Sequence, residues 1–297
     1  MKNIPLIDPP IQSMTLADGR QMTWQEFGVP DGKPVLYFHG GGSQGFEAGI
    51  FHREAVERNI RLISTYRPGA GGSTLCPGRP AVSYTDDLSQ LLARLTVEKF
   101  ACLGESNGGM MTLVVAASMS TRVLGAIPIN PTVPWFDPVA RSVTPGGAAL
   151  AYRLMKYWPG ILATLAGSSS DGWRKRRAAL TKSDDVFHSL DLIGPPPGTE
   201  QDVAEVHWRI MNDRAGKQAL MAELKWASSD WGVDYYAIPV ALDFFCGEHD
   251  AQGPFARVLA DRNANARFHS FPYGHHGFSL PDTRRRLFDT IASYFGS

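Results

Sequence analysis

The residues with the clearest catalytic potential lie in the stretch GESNGG, residues 104–109, which directly follows the apolar run FACL. The pattern Gly104-x-Ser106-x-Gly108 is typical of a sharp turn from a strand into a helix, where small flanking residues let the backbone expose a serine hydroxyl. A hydroxyl presented in this way can attack a carbonyl carbon. Because small residues are common, the pattern alone also fits a glycine-rich structural turn, so other residues must decide.

Three further polar clusters follow apolar runs that read as strands. They are His39-Gly40-Gly41-Gly42 after PVLYF, Glu248-His249-Asp250 after PVALDFFCG, and Gly274-His275-His276 after ARFHSF. Functional groups of open α/β sheets gather at the carboxyl ends of the strands, so we expect these clusters to meet Ser106 there. In chain order, Ser106 and the last two clusters supply a serine, an acid and a histidine.

A serine, a histidine and an acid can together catalyse acyl transfer, each in a different role. We expect Ser106 to act as nucleophile, a histidine to take its proton, and Asp250 to orient that histidine and stabilise its charged form. The backbone N–H groups of Gly41 and Asn107 are the predicted donors to the oxyanion. His39 is predicted to be a structural loop residue.

Two adjacent histidines compete for the role of base. The loop after ARFHSF resembles the Pro-x-x-Gly-His loop of the α/β-hydrolase fold superfamily. In that pattern histidine stands four positions beyond proline, which is His276 here, whereas keeping the Gly-His dipeptide selects His275 and shortens the loop by one residue. Loop length decides whether an imidazole can reach the serine, so we predict His276 as the base and leave His275 as the alternative. Turnover is expected to rise with pH near the ordinary histidine pKa of about 6.5.

Alternating apolar runs and helical stretches predict the elements that position these groups. MTLADGRQMTWQEFG contains two β-type runs joined by Asp18-Gly19, a hairpin signal, and later runs predict strands of a mostly parallel sheet. Between Pro131 and Ile238 the periodicity becomes helical. We therefore predict an α/β core of residues 1–131 and 238–297, with a helical cap inserted at 132–237.

Composition restricts the partners. The 297-residue chain has 29 basic and 29 acidic residues, so no net field draws it to nucleic acid or to an anionic membrane. Its three cysteines lack metal-binding spacing, and its first residues lack the apolar run of a signal peptide. We expect a cytoplasmic protein that acts on a small molecule without metal or other cofactor, and leave a homodimer open.

Taken together, the motifs resemble the α/β-hydrolase fold superfamily, near its proline iminopeptidase-like branch. YRPGAGGST, residues 66–74, is similar to the family's DRPGxGxS segment, although Tyr66 stands where the family has aspartate, and DWGVDYYAIPV is similar to its entry into the strand after the cap. The resemblance implies an α/β-hydrolase fold with an eight-stranded sheet, an N-terminal antiparallel hairpin and a helical cap. It also implies a serine hydrolase with an acyl-enzyme intermediate.

The expected substrate is a carboxylic ester or lactone, with an amide or peptide bond as the alternative. Trp135 and Phe136 lie where the chain leaves the sheet for the cap, so we predict that they line the substrate pocket. Packing between cap and core would explain such aromatic residues as well.

The sequence suggests three other functions less strongly. A reductase is suggested by Gly40–Gly45, which satisfies GxGxxG, and by Tyr152-x-x-x-Lys156, but the acid expected about 20 residues after the glycines is missing. A metal hydrolase lacks recognised ligand spacing. A ligand-binding protein without activity is compatible with the fold.

Overall fold

A computed structural model describes residues 4–161, 195–213 and 215–296. Its centre is an eight-stranded sheet in the order β1-β2-β4-β3-β5-β6-β7-β8. The strands β3 to β8 run parallel to one another, whereas β2 pairs antiparallel with both β1 and β4. The strands are β1 (Gln12–Thr15), β2 (Gln21–Gly28), β3 (Lys33–Phe38), β4 (Ile60–Tyr66), β5 (Phe100–Glu105), β6 (Val123–Ile129), β7 (Ala241–Gly247) and β8 (Ala266–Phe271).

Helices cover the sheet and connect its strands. The α-helices of the described residues are α1 (His52–Glu57), α2 (Tyr84–Arg94), α3 (Asn107–Ser118), α4 (Pro138–Val143), α5 (Gly146–Tyr157), α6 (Gln201–Asn212), α7 (Lys217–Ser228), α8 (Gly253–Arg262) and α9 (Pro281–Ser293). Short 3₁₀ helices span Gly45–Phe51, Ala81–Ser83 and His275–Ser279. No helix among the described residues combines the length and apolar character that crossing a membrane would need.

The parallel strands β3 to β7 are mostly apolar on both faces because each face is covered. Along β5, Cys102 packs into one core cluster with residues of α2 and α3, while Ala101 and Leu103 pack into a second cluster with residues of α1 and α9. Successive strand side chains point to opposite faces, so a buried parallel strand reads as a continuous apolar run. This burial explains why the sequence signal was clear for β3 to β7.

The predicted hairpin at the start of the chain is confirmed. β1 and β2 pair with Thr15 opposite Gln21, and the Leu16 N–H donates to the Arg20 carbonyl at 2.8 Å. Gly19 in the turn has φ +86°, a conformation that glycine adopts without a steric penalty. The mostly parallel eight-stranded sheet with an antiparallel N-terminal hairpin is therefore the predicted fold.

The segment between β6 and β7 is helical where it is described. Helices α4 to α7 fall there, and the described residues of 132–237 contain no strand. Residues 162–194, the middle of the predicted cap, lie outside the described residues. The boundaries of the two-part core and of the cap at 132–237 stay a prediction.

The turn from β5 into α3 depends on close backbone packing. A Cβ atom on Gly108, in the first turn of α3, would lie 1.9 Å from the Phe38 carbonyl oxygen, and one on Gly104 would lie 2.4 Å from the Gly108 carbonyl oxygen. Neither position has room for a larger residue. The glycines of GESNGG thus let α3 begin directly beside β3.

Replacing Gly108 by alanine should destabilise the fold by about 1–3 kcal/mol, the usual cost of overpacking. Gly146, the first residue of α5, has open space around its Cβ position, so Gly146→Ala is the matched control and should leave stability unchanged or slightly higher. Urea unfolding midpoints measure both effects. Equal midpoints for the two variants would contradict this account of the turn.

Candidate active site

Ser106 occupies the turn between β5 and α3 in a strained backbone conformation. Its φ and ψ are 54° and −116°, outside the regions that non-glycine residues ordinarily adopt. Three hydrogen bonds fix this conformation: the Ser106 N–H donates to the Ile129 carbonyl at 2.9 Å, and the Ser106 carbonyl accepts from the N–H groups of Met110 and Thr132. The serine is partly exposed while the residues around it are buried. This is the geometry predicted for the GESNGG turn.

Asp250 and His275 meet after β7 and β8. The Nδ1 atom of His275 lies 2.7 Å from Oδ2 of Asp250, and both residues are only 9 % exposed. Glu248 and His249, which precede Asp250, are exposed. The second carboxylate oxygen of Asp250 accepts from the Gln252 N–H at 2.7 Å, which fixes its orientation.

The structure corrects the choice of His276 as the residue that pairs with Asp250. The ring of His276 lies 5.3 Å from the ring of His207 in α6 and 6.0 Å from that of Phe278, centroid to centroid. Tyr273 has a left-handed backbone with φ 67°, and the 3₁₀ helix begins at His275. Counting residues from Pro272 ignored this turn, which determines the direction in which each imidazole points.

Sequence reasoning missed Asn130, which holds the His275 loop in place. The side chain of Asn130 donates to the His275 carbonyl at 2.8 Å and accepts from the Gly247 N–H at 2.9 Å. Asn130 is fully buried and follows β6, with a φ of 39°. It therefore joins the ends of β6, β7 and the histidine loop, and its position after an apolar run was the signal that could have revealed it.

Glu105, the residue before Ser106, was also missed. Its Oε1 atom lies 2.5 Å from Nε2 of His275, so the imidazole is held between two carboxylates. Burial alone would lower the pKa of His275, but the carboxylates of Glu105 and Asp250 outweigh it and raise that pKa well above its usual value. We therefore expect turnover to rise at a higher pH than the value of about 6.5 predicted from the sequence.

The loop His39–Gly42 lies beside the serine turn. A Cβ atom on Gly41 would lie 2.6 Å from Nδ2 of the Asn107 side chain, so the two residues predicted to supply the oxyanion donors are neighbours in space. The Asn107 N–H belongs to the first turn of α3, where N–H groups have no partner within the helix. The Asn107 side chain is held by the Thr132 hydroxyl, which donates to it at 2.6 Å.

Buried charged groups surround this loop. The Glu47 carboxylate accepts from the Gly40 N–H at 3.1 Å and from the hydroxyls of Tyr37 and Ser43. Burial and the neighbouring Glu105 carboxylate raise the pKa of Glu47 to about 7. Arg67 donates to the carbonyls of His39 and Gly40 at 2.6 and 2.8 Å, so His39 belongs to the supporting structure.

The predicted pocket residues pack against other aromatic side chains. Trp135 is 5 % exposed and stacks on Tyr152, with ring centroids 5.5 Å apart. Phe136 is half-buried and contacts Trp231 and Tyr235 edge-on. These contacts are those of aromatic packing, and the role of Trp135 and Phe136 in substrate binding stays a prediction.

The residues that suggested a reductase, Tyr152 and Lys156, lie in helix α5 and differ in their surroundings. The Tyr152 hydroxyl accepts from the Val133 N–H at 2.9 Å, and Lys156 is exposed. Among the described residues, no group of three or more histidine, cysteine, aspartate or glutamate side chains is arranged to hold a metal ion.

The chain resembles known proteins in its structure. No family model matches it, and no curated protein sequence matches it. Solved structures match over nearly their full length. An epoxide hydrolase superimposes with a TM-score of 0.70 at 14 % identity, covering 97 % of this chain and 99 % of that one.

Two further matches have similar coverage. The enol-lactonase from Burkholderia xenovorans LB400 gives a TM-score of 0.65 at 14 % identity, covering 96 % of this chain and 100 % of that one. A thermophilic esterase from Thermogutta terrifontis gives 0.64 at 18 % identity, covering 97 % and 98 %. This chain has the α/β-hydrolase fold. The proline iminopeptidase-like branch has no support among these structures.

The position of Glu105 predicts a measurable effect on the His275 imidazole. Glu105→Gln keeps the size of the side chain but removes one of the two negative charges that stabilise the imidazolium, so the pKa of His275 should fall. NMR titration of the imidazole resonances measures it, with exposed Glu248→Gln as the control that leaves the pKa unchanged. An unchanged pKa in Glu105→Gln would show that the contact does not stabilise the charged ring.

Proposed function

We propose that this chain is a serine hydrolase that cleaves carboxylic esters or lactones through an acyl-enzyme intermediate. The observation that carries the proposal is the hydrogen bond between Asp250 and His275, two residues that follow the strand ends on the same sheet as a serine held in a strained turn. Ser106, Asp250 and His275 take the roles of nucleophile, orienting acid and base. Gly41 and Asn107 supply the oxyanion donors.

The first half of the reaction forms the acyl-enzyme. The Ser106 Oγ attacks the carbonyl carbon while its proton passes to Nε2 of His275. Negative charge builds on the carbonyl oxygen, where the N–H groups of Gly41 and Asn107 stabilise it, each donor contributing about 3 kcal/mol in the transition state. Collapse of the tetrahedral intermediate breaks the bond to the alcohol, which takes the proton from His275 as it leaves.

The second half regenerates the serine. Water attacks the acyl carbon and gives its proton to His275, and the intermediate then breaks the bond to Ser106 Oγ, which recovers that proton. Asp250 accepts from Nδ1 of His275 and stabilises the imidazolium in both halves. Water is the one co-reactant that the balance requires.

Glu105 competes with Ser106 for the same nitrogen of His275. Nε2 must leave the Glu105 carboxylate before it can accept the serine proton, and the charge of Glu105 favours the protonated ring that cannot act as base. Turnover should therefore require a higher pH than an ordinary histidine would.

The choice of ester or lactone over amide rests on similarity. The structural neighbours include proteins described as an esterase and an enol-lactonase. Their sequence identities to this chain are low, so they support the fold directly, whereas the substrate class is inferred from them by analogy. An aminopeptidase of the proline iminopeptidase-like type is the alternative that a substrate panel with aminoacyl amides would detect.

Alanine variants of the triad test the proposal. Ser106→Ala and His275→Ala should lower kcat/KM for a chromogenic short-chain ester by at least about 10³-fold, because nucleophile and base act as a unit. His276→Ala is the matched control for the neighbouring imidazole and should keep most of the activity. Circular dichroism checks that each variant is folded. Near wild-type turnover by folded Ser106→Ala would exclude the serine mechanism. Loss of activity in His276→Ala but not in His275→Ala would identify His276 as the base.

A further inference from the structure

The three glycines after His39 differ in what their N–H groups contact. The Gly40 N–H donates to Glu47 at 3.1 Å, and the Gly42 N–H donates to Oε2 of Glu223 at 2.8 Å. Gly41, between them, is exposed, and no hydrogen bond from its N–H is found within the described residues. Two carboxylates thus hold the neighbours and leave the middle amide available.

Glu223 comes from α7, which lies between β6 and β7 in the chain, far in sequence from this loop. Its other oxygen, Oε1, accepts from Nε of Arg67 at 2.9 Å, and the Glu223 and Arg67 side chains are 3 % and 1 % exposed. The remaining nitrogens of Arg67 donate to the carbonyls of His39 and Gly40. Glu223 is therefore linked to the loop twice, directly through Gly42 and indirectly through Arg67.

Other contacts seat α7 against the same loop. The Ala215 N–H, just before α7, donates to the Gly42 carbonyl at 3.0 Å. A Cβ atom on Gly42 would lie 3.1 Å from Cδ1 of Leu220, and one on Gly69 would lie 2.7 Å from the Cβ of Ala219. Helix α7 therefore packs tightly against the loop that contains Gly42 and against the loop that contains Gly69. A shift of α7 would move Gly42.

We propose that Glu223 is a positioning residue for the oxyanion donor at Gly41, so that a helix of the segment between β6 and β7 completes the site. The inference rests on the proposed function. Charge-assisted hydrogen bonds from N–H groups to a carboxylate are stronger than neutral ones, and in this buried position they hold Gly42 and Arg67 in one arrangement. Without Glu223, the buried Arg67 guanidinium and the Gly42 N–H both lose this acceptor.

Two substitutions separate the charge from the hydrogen bond. Glu223→Gln keeps an oxygen that can accept from Gly42 but loses the charge that faces Arg67, whereas Glu223→Ala loses both. Losing one oxyanion donor costs about 10²–10³ in kcat, so we expect Glu223→Ala to approach about 10²-fold and Glu223→Gln to lose less, with KM nearly unchanged in both. Glu205, an exposed acid on α6, supplies the controls Glu205→Ala and Glu205→Gln, which should keep the wild-type kcat.

The measurements distinguish positioning from stability. Turnover of a short-chain ester is normalised to active sites counted by a stoichiometric serine reagent, so unfolded protein does not lower kcat. Affinity for a trifluoromethyl ketone, whose adduct with serine carries an oxyanion, should fall in parallel with kcat/KM. Should Glu223→Ala not fold, Glu223→Gln alone decides the question through the same two readouts.

The outcomes for the two proposals differ. A normal kcat per active site and normal ketone affinity in the Glu223 variants, while Ser106→Ala is inactive, would overturn the role of Glu223 and leave the serine mechanism in place. A raised KM at unchanged kcat would also overturn it, since that pattern indicates lost substrate binding. No turnover by the wild-type protein on any ester or lactone would refute the proposed function and, with it, the role given to Glu223.

Discussion

The hydrogen bond between Asp250 and His275 is the interaction on which the organisation of the site depends. It joins the loops that follow β7 and β8, and Asn130 ties both to the end of β6. Parallel strands bring these ends to one edge of the sheet, but they leave the direction of each side chain open. The buried pairing sets that direction, since an aspartate without its partner at this position would lose much of its stabilisation.

Buried carboxylates dominate the electrostatics of the site. Glu47, Glu105 and Asp250 lie around His275 and the glycine loop, and Glu223 pairs with Arg67 beside them. Burial, and after it the neighbouring Glu105 carboxylate, raise the pKa of Glu47. The same negative surroundings stabilise the protonated His275 imidazole, which in the proposed mechanism would favour the imidazolium formed during acyl transfer and make the resting base harder to deprotonate.

Much of the fold could be predicted from the sequence because strands buried on both faces produce distinct apolar runs. The runs PVLYF, RLIST and FACL fall within β3, β4 and β5, and the polar residues after such runs include Ser106 in the turn after β5 and Asp250, which pairs with His275. Sequence could not show that His275 is the residue that pairs with Asp250, because the loop that carries it turns through the left-handed backbone of Tyr273, which no motif records. The contacts of Glu223 could not be predicted for another reason. Its partners Arg67 and Gly42 are 156 and 181 positions away in the sequence, and no local pattern encodes such contacts.

Covalent labelling of the wild-type protein with a fluorophosphonate, followed by peptide mass spectrometry, identifies the nucleophile. The reagent reacts with a serine only when a base and an oxyanion site activate it. We predict one adduct, on Ser106, that forms faster as pH rises through the raised pKa of His275. Folded protein that remains unlabelled, or that carries the adduct on another serine, would contradict it.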